Sequence, residues 1–136
     1  MDKIEFCKKL NISEKEYDNI DKLCLPFIEF FNSNGLETIM SCEGHNNDNL
    51  HTFWICFSEK VTDEDIHKFI EKIPISLIPA NGFYGKFIKY NSGYWNQTHH
   101  ERWRYICMAS GSFVENQKKA MNDLSILQKA LELKSN

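Results

Sequence analysis

The stretch Leu50-His51-Thr52-Phe53-Trp54-Ile55-Cys56-Phe57-Ser58 decides the fold. Side chains of an extended chain alternate between two faces, so Phe53, Ile55 and Phe57 point one way and Trp54 and Cys56 the other. A strand that is apolar on both faces belongs in the middle of a sheet. Upstream, Leu36–Cys42 reads as a neighbouring strand. The seven residues Glu43–Asn49 that join the two are polar, with one Gly and three Asn, and predict an exposed loop. Downstream, Glu101–Met108 alternates again, with Trp103, Tyr105 and Cys107 on one face and Arg102, Arg104, Ile106 and Met108 on the other. Phe83–Tyr90 reads as a further strand between the turn signals Asn81-Gly82 and Asn91-Ser92-Gly93. Ile75–Ile78 predicts a short edge strand limited by Pro79, and Tyr94–His100 is ambiguous.

Helices surround these strands. Ile4, Cys7 and Leu10 have helical spacing, which predicts a short helix over residues 2–10. Ser13-Glu14-Lys15-Glu16 is a capping box. It opens a second helix whose stripe is Tyr17, Ile20, Leu23, Cys24, Phe27, Phe30 and Phe31, kinked or split at Pro26. Gly35 suits a left-handed cap at its end. Thr62 caps Asp63–Lys72, which Pro74 ends. Ser112-Phe113-Val114-Glu115 opens the clearest helix, roughly Phe113–Leu133, with a stripe of Phe113, Ala120, Leu124, Leu127 and Leu131. The expected fold is a single α+β domain over residues 1–136, an antiparallel sheet of about four to five strands packed by helices.

Composition narrows the function classes. The chain has 136 residues, 42% hydrophobic and 26% charged, which is globular. A net charge of −3 argues against a general nucleic-acid binder. Ten Phe are more than a small core requires, so some rings are expected to line a pocket or an interface. The five cysteines are odd in number and form no C-x-x-C pair, which favours a reducing compartment. The N-terminus has no signal-peptide pattern and no apolar run is long enough to span a bilayer, so a cytoplasmic protein without membrane contact is expected.

Four stretches are candidates for chemistry. Ser41-Cys42-Glu43-Gly44-His45 ends a strand and enters a Gly-containing loop, where backbone N–H groups can form an anion nest. Cys42 and His45 are close enough to pair as nucleophile and base. The plain alternative is a small core thiol beside a solvated imidazole. Cys42, His45 and His51 also form C-x2-H-x5-H, three ligands that would hold zinc with a position open. His99-x-Glu101 has the H-x-E form of zinc deaminases, but no P-C-x-x-C follows it. Arg102 and Arg104, the only arginines, project from one strand face and suit a phosphate. Tyr94 and Trp95 precede them and would stack a base. Against this stands a solvated sheet face with salt bridges. Asn81–Tyr90 resembles an aromatic RNA-binding strand or a G-x-x-G loop only superficially, and neither a Walker nor a Rossmann glycine pattern is present.

The run from Pro26 to Thr38, continuing into Ser41-Cys42-Glu43-Gly44-His45, resembles small phage and bacterial α/β proteins with an S-C-x-G-H loop after a helix and a G-[IL]-x-T strand. The loop is also similar to the S-C-S-G-R loop of wybutosine tRNA methyltransferases, with His45 in place of the Arg, and that activity is not carried over. By class and size, small phage proteins of this kind include sponges for nucleotide immune signals.

The leading expectation is therefore a binder of a phosphate-bearing, nucleotide-like small molecule, without a cofactor and with a homodimer allowed. Arg102 and Arg104 would hold phosphate, Tyr94 or Trp95 would stack a base, and Ser41, Cys42, Gly44 and His45 would add loop contacts. The alternatives are a small hydrolase using Cys42 with His45 or a zinc ion on Cys42, His45 and His51, and a protein-interaction module.

Overall fold

The computed structural model describes residues 2–45, 51–74, 82–95 and 98–135, with side chains placed for 2–45, 51–74, 82–90 and 101–132. Helix α1 spans Lys3–Leu10 and α2 Glu14–Asp18; a 3-10 turn at Lys22–Cys24 leads into α3, Leu25–Ser33. Strands β1 (Thr38–Cys42) and β2 (Phe53–Phe57) follow, then α4 (Asp63–Glu71), β3 (Lys86–Trp95), β4 (Thr98–Cys107) and α5 (Phe113–Ser135). The four strands form one antiparallel sheet in the order β1-β2-β4-β3, so β2 is interior, as its two apolar faces require. The fold is α+β.

Register separates two faces. Ile55 pairs with Tyr105 and Phe53 with Cys107, and Tyr105 pairs with Phe87. These side chains meet Phe27 and Phe31 of α3, Ile66 and Phe69 of α4, and Ala120, Leu124 and Leu127 of α5 in one core. Several of the ten Phe are spent here: Phe31 alone lies 5.0 Å from Phe57, 5.8 Å from Phe69 and 6.1 Å from Phe87, ring to ring. On the other face the register brings together Met40, Trp54, Cys56, Ile88, Tyr90, Arg102, Arg104 and Ile106.

The second helix departs from expectation in an instructive way. The capping box is present, with Ser13 Oγ accepting from Glu16 N–H and Glu16 accepting from Ser13 N–H. The helix nevertheless stops at Asp18, well before Pro26, and Asp21 adopts an extended conformation. Pro26 sits in the first turn of α3, where its missing N–H costs nothing. At the far end of α3, Gly35 at φ 82° donates to Asn32 O and Leu36 donates to Phe31 O, a Schellman stop.

Two further boundaries move. Asn91-Ser92-Gly93, expected as a turn, lies inside β3, where the register slips by one residue between Asn91 and Tyr94. A bulge absorbs the Gly that would otherwise end the strand. In the ambiguous stretch Tyr94–His100, Tyr94 and Trp95 belong to β3 and residues 98–100 to β4, with Trp95 paired to Thr98. The expected edge strand Ile75–Ile78 lies outside the described residues. Among those described, no helix is long and apolar enough to cross a membrane.

The long helix α5 carries two polar residues on its buried side. Asn116 and Asp123 fall on the same face as Ala120, Leu124 and Leu127, and both are fully buried. Asp123 accepts from Tyr84 N–H at 2.8 Å, Gly85 N–H at 2.7 Å and the Tyr105 hydroxyl at 2.6 Å. Burial pushes the Asp123 carboxyl up, and its three donors pull it part of the way back. Gly85 is required here, because a Cβ would collide with the Tyr105 ring.

Candidate functional site

Hydrogen bonds tie down the described ends of the loop after β1. Ser41 bonds the Cys24 thiol, whose burial pushes its pKa up to about 12. Glu43 N–H donates to Asp21 Oδ2 at 2.9 Å, and Gly44 N–H donates to Cys42 Sγ at 3.4 Å. Glu43 O accepts from the Gln117 side chain at 2.9 Å, and His51 O accepts from Asn116 at 2.9 Å, so α5 anchors both ends of the loop. Gly44 has φ 89° and is buried. A Cβ there would meet His51 O at 3.1 Å and Phe113 Cβ at 3.3 Å, so only glycine fits the bend.

These bonds change what the loop can do. The N–H groups of Glu43 and Gly44, expected to cradle an anion, are already committed to Asp21 and Cys42. The surroundings are acidic: burial first, and then Asp21, pushes the Glu43 carboxyl up, while His45 opposes the shift. His45 Nε2 lies 3.6 Å from Asp21 Oδ2. Asp21, Cys42 and His45 each offer a ligand atom, and the three atoms lie within 4.8 Å of one another. His51, the third ligand of the sequence pattern, is not in this group; Asp21 stands in its place. All five cysteines are free, and Cys42 alone among them is not buried.

The second candidate lies on the sheet face opposite the core. Arg104 packs on two rings, its guanidinium carbon 4.5 Å from the Trp54 centroid and 3.9 Å from that of Tyr90. The Tyr90 hydroxyl also meets the buried Cys56 Sγ at 3.0 Å. Burial, ahead of that bond, pushes the Tyr90 phenol up, and Arg104 draws it back. Arg104 Nε is buried without a hydrogen-bond partner among the described residues. Arg102 projects from the same face, as alternation requires, but its Nη2 is paired with Glu59 Oε1 at 2.8 Å. The two arginines therefore do different things. The side chains of Tyr94 and Trp95 fall outside the described residues.

A groove of about 470 Å³ runs along β1, the edge strand, beneath α1, α2 and α3. Its floor is apolar, from Leu10, Ile20, Ile28, Met40 and Trp54, and Glu16, Asn19, Asn32 and Ser41 add polar groups. Among the described residues, no Lys, Arg or His lines it. Trp54 thus belongs to both the groove and the Arg104 stack, and in the register it pairs with Cys42. Ser41 reaches the groove, whereas Cys42 and His45 gather around Asp21.

Sequence reading missed Asp21, because a continuous helix would have carried it away from the loop. It also missed Trp54 as a site residue, since its place in a central strand suggested core. The polar run Asp18-Asn19 before Asp21 was the available signal for the break. No family, curated protein or solved structure matches the chain.

Proposed function

We propose that this chain binds a planar, anionic, nucleotide-like small molecule where the groove along β1 meets the open sheet face. The supporting observation is that Trp54 is shared: it lines the groove and stacks on Arg104. The planar part of the ligand lies in the apolar groove against Trp54 and Met40. Its phosphate meets the edge of the Arg104 guanidinium. Trp54 and Tyr90 hold that group in place, and a guanidinium fork suits an oxyanion. The Asn19 amide suits the amino and hydroxyl groups of a base or ribose, since Asn32 and one oxygen of Glu16 are bonded within the fold. Arg102 plays a lesser part, since Glu59 already neutralises it. Such binding would serve to sequester a nucleotide signal.

Isothermal titration with ADP, ADP-ribose and a cyclic dinucleotide tests this reading. At least one should bind, and Arg104→Lys should weaken it about tenfold or more, because a lysine is a point charge that presents no planar fork. Binding of none of the three, or equal binding by Arg104→Lys, would remove the proposal.

A further inference from the structure

We propose that Asp21, Cys42 and His45 form a binding site for a divalent transition metal, with zinc the best match. The donor set carries the argument first. A thiolate, an imidazole and a carboxylate are the ligands zinc takes in protein sites, and three of them leave a fourth position for water or a small ligand. Calcium and magnesium would favour an all-oxygen set, which a cysteine and a histidine do not provide.

Geometry agrees. Ligand atoms around tetrahedral zinc lie roughly 3.5 Å apart, given metal–ligand distances of about 2.0–2.3 Å. His45 Nε2 and Asp21 Oδ2 are already 3.6 Å apart, and the whole set falls within 4.8 Å. Closing it requires side-chain shifts on the order of 1 Å. His45 and Asp21 are 47% and 26% exposed, which leaves them room to make those shifts and leaves the ion a path from solvent.

The surroundings hold the ligands in place. Gly44 N–H points at Cys42 Sγ and Glu43 N–H at Asp21 Oδ2, the kind of outer hydrogen bond that fixes ligand orientation in metal sites. Asp21 caps no helix with its side chain, although it precedes the 3-10 turn, and turns to the loop instead. The site is independent of the nucleotide reading, for it uses neither Arg104 nor Trp54.

The test is cobalt substitution. Protein treated with chelator and then titrated with Co2+ should develop a sulfur-to-cobalt charge-transfer band that saturates at one equivalent, and Zn2+ should displace it. Cys42→Ser should lose the band, and His45→Ala should weaken Co2+ binding at least tenfold. Circular dichroism shows whether each variant is folded, and His45, being exposed, is the substitution least able to disturb the fold. No charge-transfer band in the native protein would overturn the site. So would a band that survives Cys42→Ser, or one unaffected by His45→Ala.

Discussion

The corner at Asp21, Cys42 and His45 and the stack at Trp54, Arg104 and Tyr90 are joined by the pairing of Cys42 with Trp54, yet they are opposite in character. The corner is acidic, its loop N–H groups are consumed, and its free valences are those of metal ligands. The stack is cationic and planar, with a guanidinium donor left unmet. Loop residues and arginines that look like two halves of one anion site are proposed instead as a cation site at the end of β1 and an anion site on the open sheet face. Proximity in a fold does not pool charges of opposite sign into one function. On this proposal each region would take the ligand that its own unmet groups require.

The largest effect should come from removing what both regions stand on. Asp123→Ala strands Tyr84 N–H, Gly85 N–H and the Tyr105 hydroxyl. At about 1–3 kcal/mol for each stranded group it should cost about 3 kcal/mol or more in urea unfolding. Because α5 also anchors the Ser41–His45 loop, metal and nucleotide responses should weaken together; a variant that loses one alone would show that the regions do not share this scaffold. Next in size is the metal itself. Zn2+ at a hundredfold excess over its Kd should stabilise the native protein by about 2.7 kcal/mol, and His45→Ala, at a tenfold or greater loss of affinity, should remove about half of that gain or more in a thermal melt.

Smaller effects sharpen the contrast. Gly44→Ala places a side chain at φ 89° against His51 O and Phe113. It should cost about 1–3 kcal/mol and should impair cobalt binding more than nucleotide binding. Arg104→Lys should lower nucleotide affinity by about 1.4 kcal/mol, the tenfold loss, with zinc stabilisation unchanged. The smallest effect is a pH dependence. The Asp123 carboxyl is raised in the folded state, so above the usual carboxylate range the native protein keeps a proton that the unfolded chain has lost. Stability relative to Asp123→Asn should therefore fall as pH rises through that window, and a series of melts across it would register the slope.

Much of the scaffold was legible because its rules are local. Alternation in Phe53–Phe57 placed β2 inside the sheet, and capping boxes located two helix starts. Gly35 marked a helix end. The errors came where tertiary contacts overrule local signals. A bulge at Asn91–Tyr94 carries a strand through an apparent turn, and a helix breaks at Asn19–Asp21 without a proline. That break mattered most, because it delivers Asp21 to a loop 20 residues further on. Asn116 and Asp123 were visible at helical spacing with the α5 stripe, but a search for apolar residues passes over them. Cys42, His45, Arg102 and Arg104 were all picked out by residue type. Their division into two sites was not, since it depends on Glu59, Trp54 and Tyr90, which reach them only through the sheet.

A crossed titration puts the division of the two regions to the test most directly. Native protein, Arg104→Lys and His45→Ala would each be titrated by calorimetry with Zn2+ and with whichever of ADP, ADP-ribose and a cyclic dinucleotide binds the native chain. The expected result is a double dissociation, with Arg104→Lys losing nucleotide and keeping zinc, and His45→Ala losing zinc and keeping nucleotide. Loss of both ligands by each single variant would mean one composite site, and unchanged nucleotide binding in Arg104→Lys would contradict the role given to the stacked arginine.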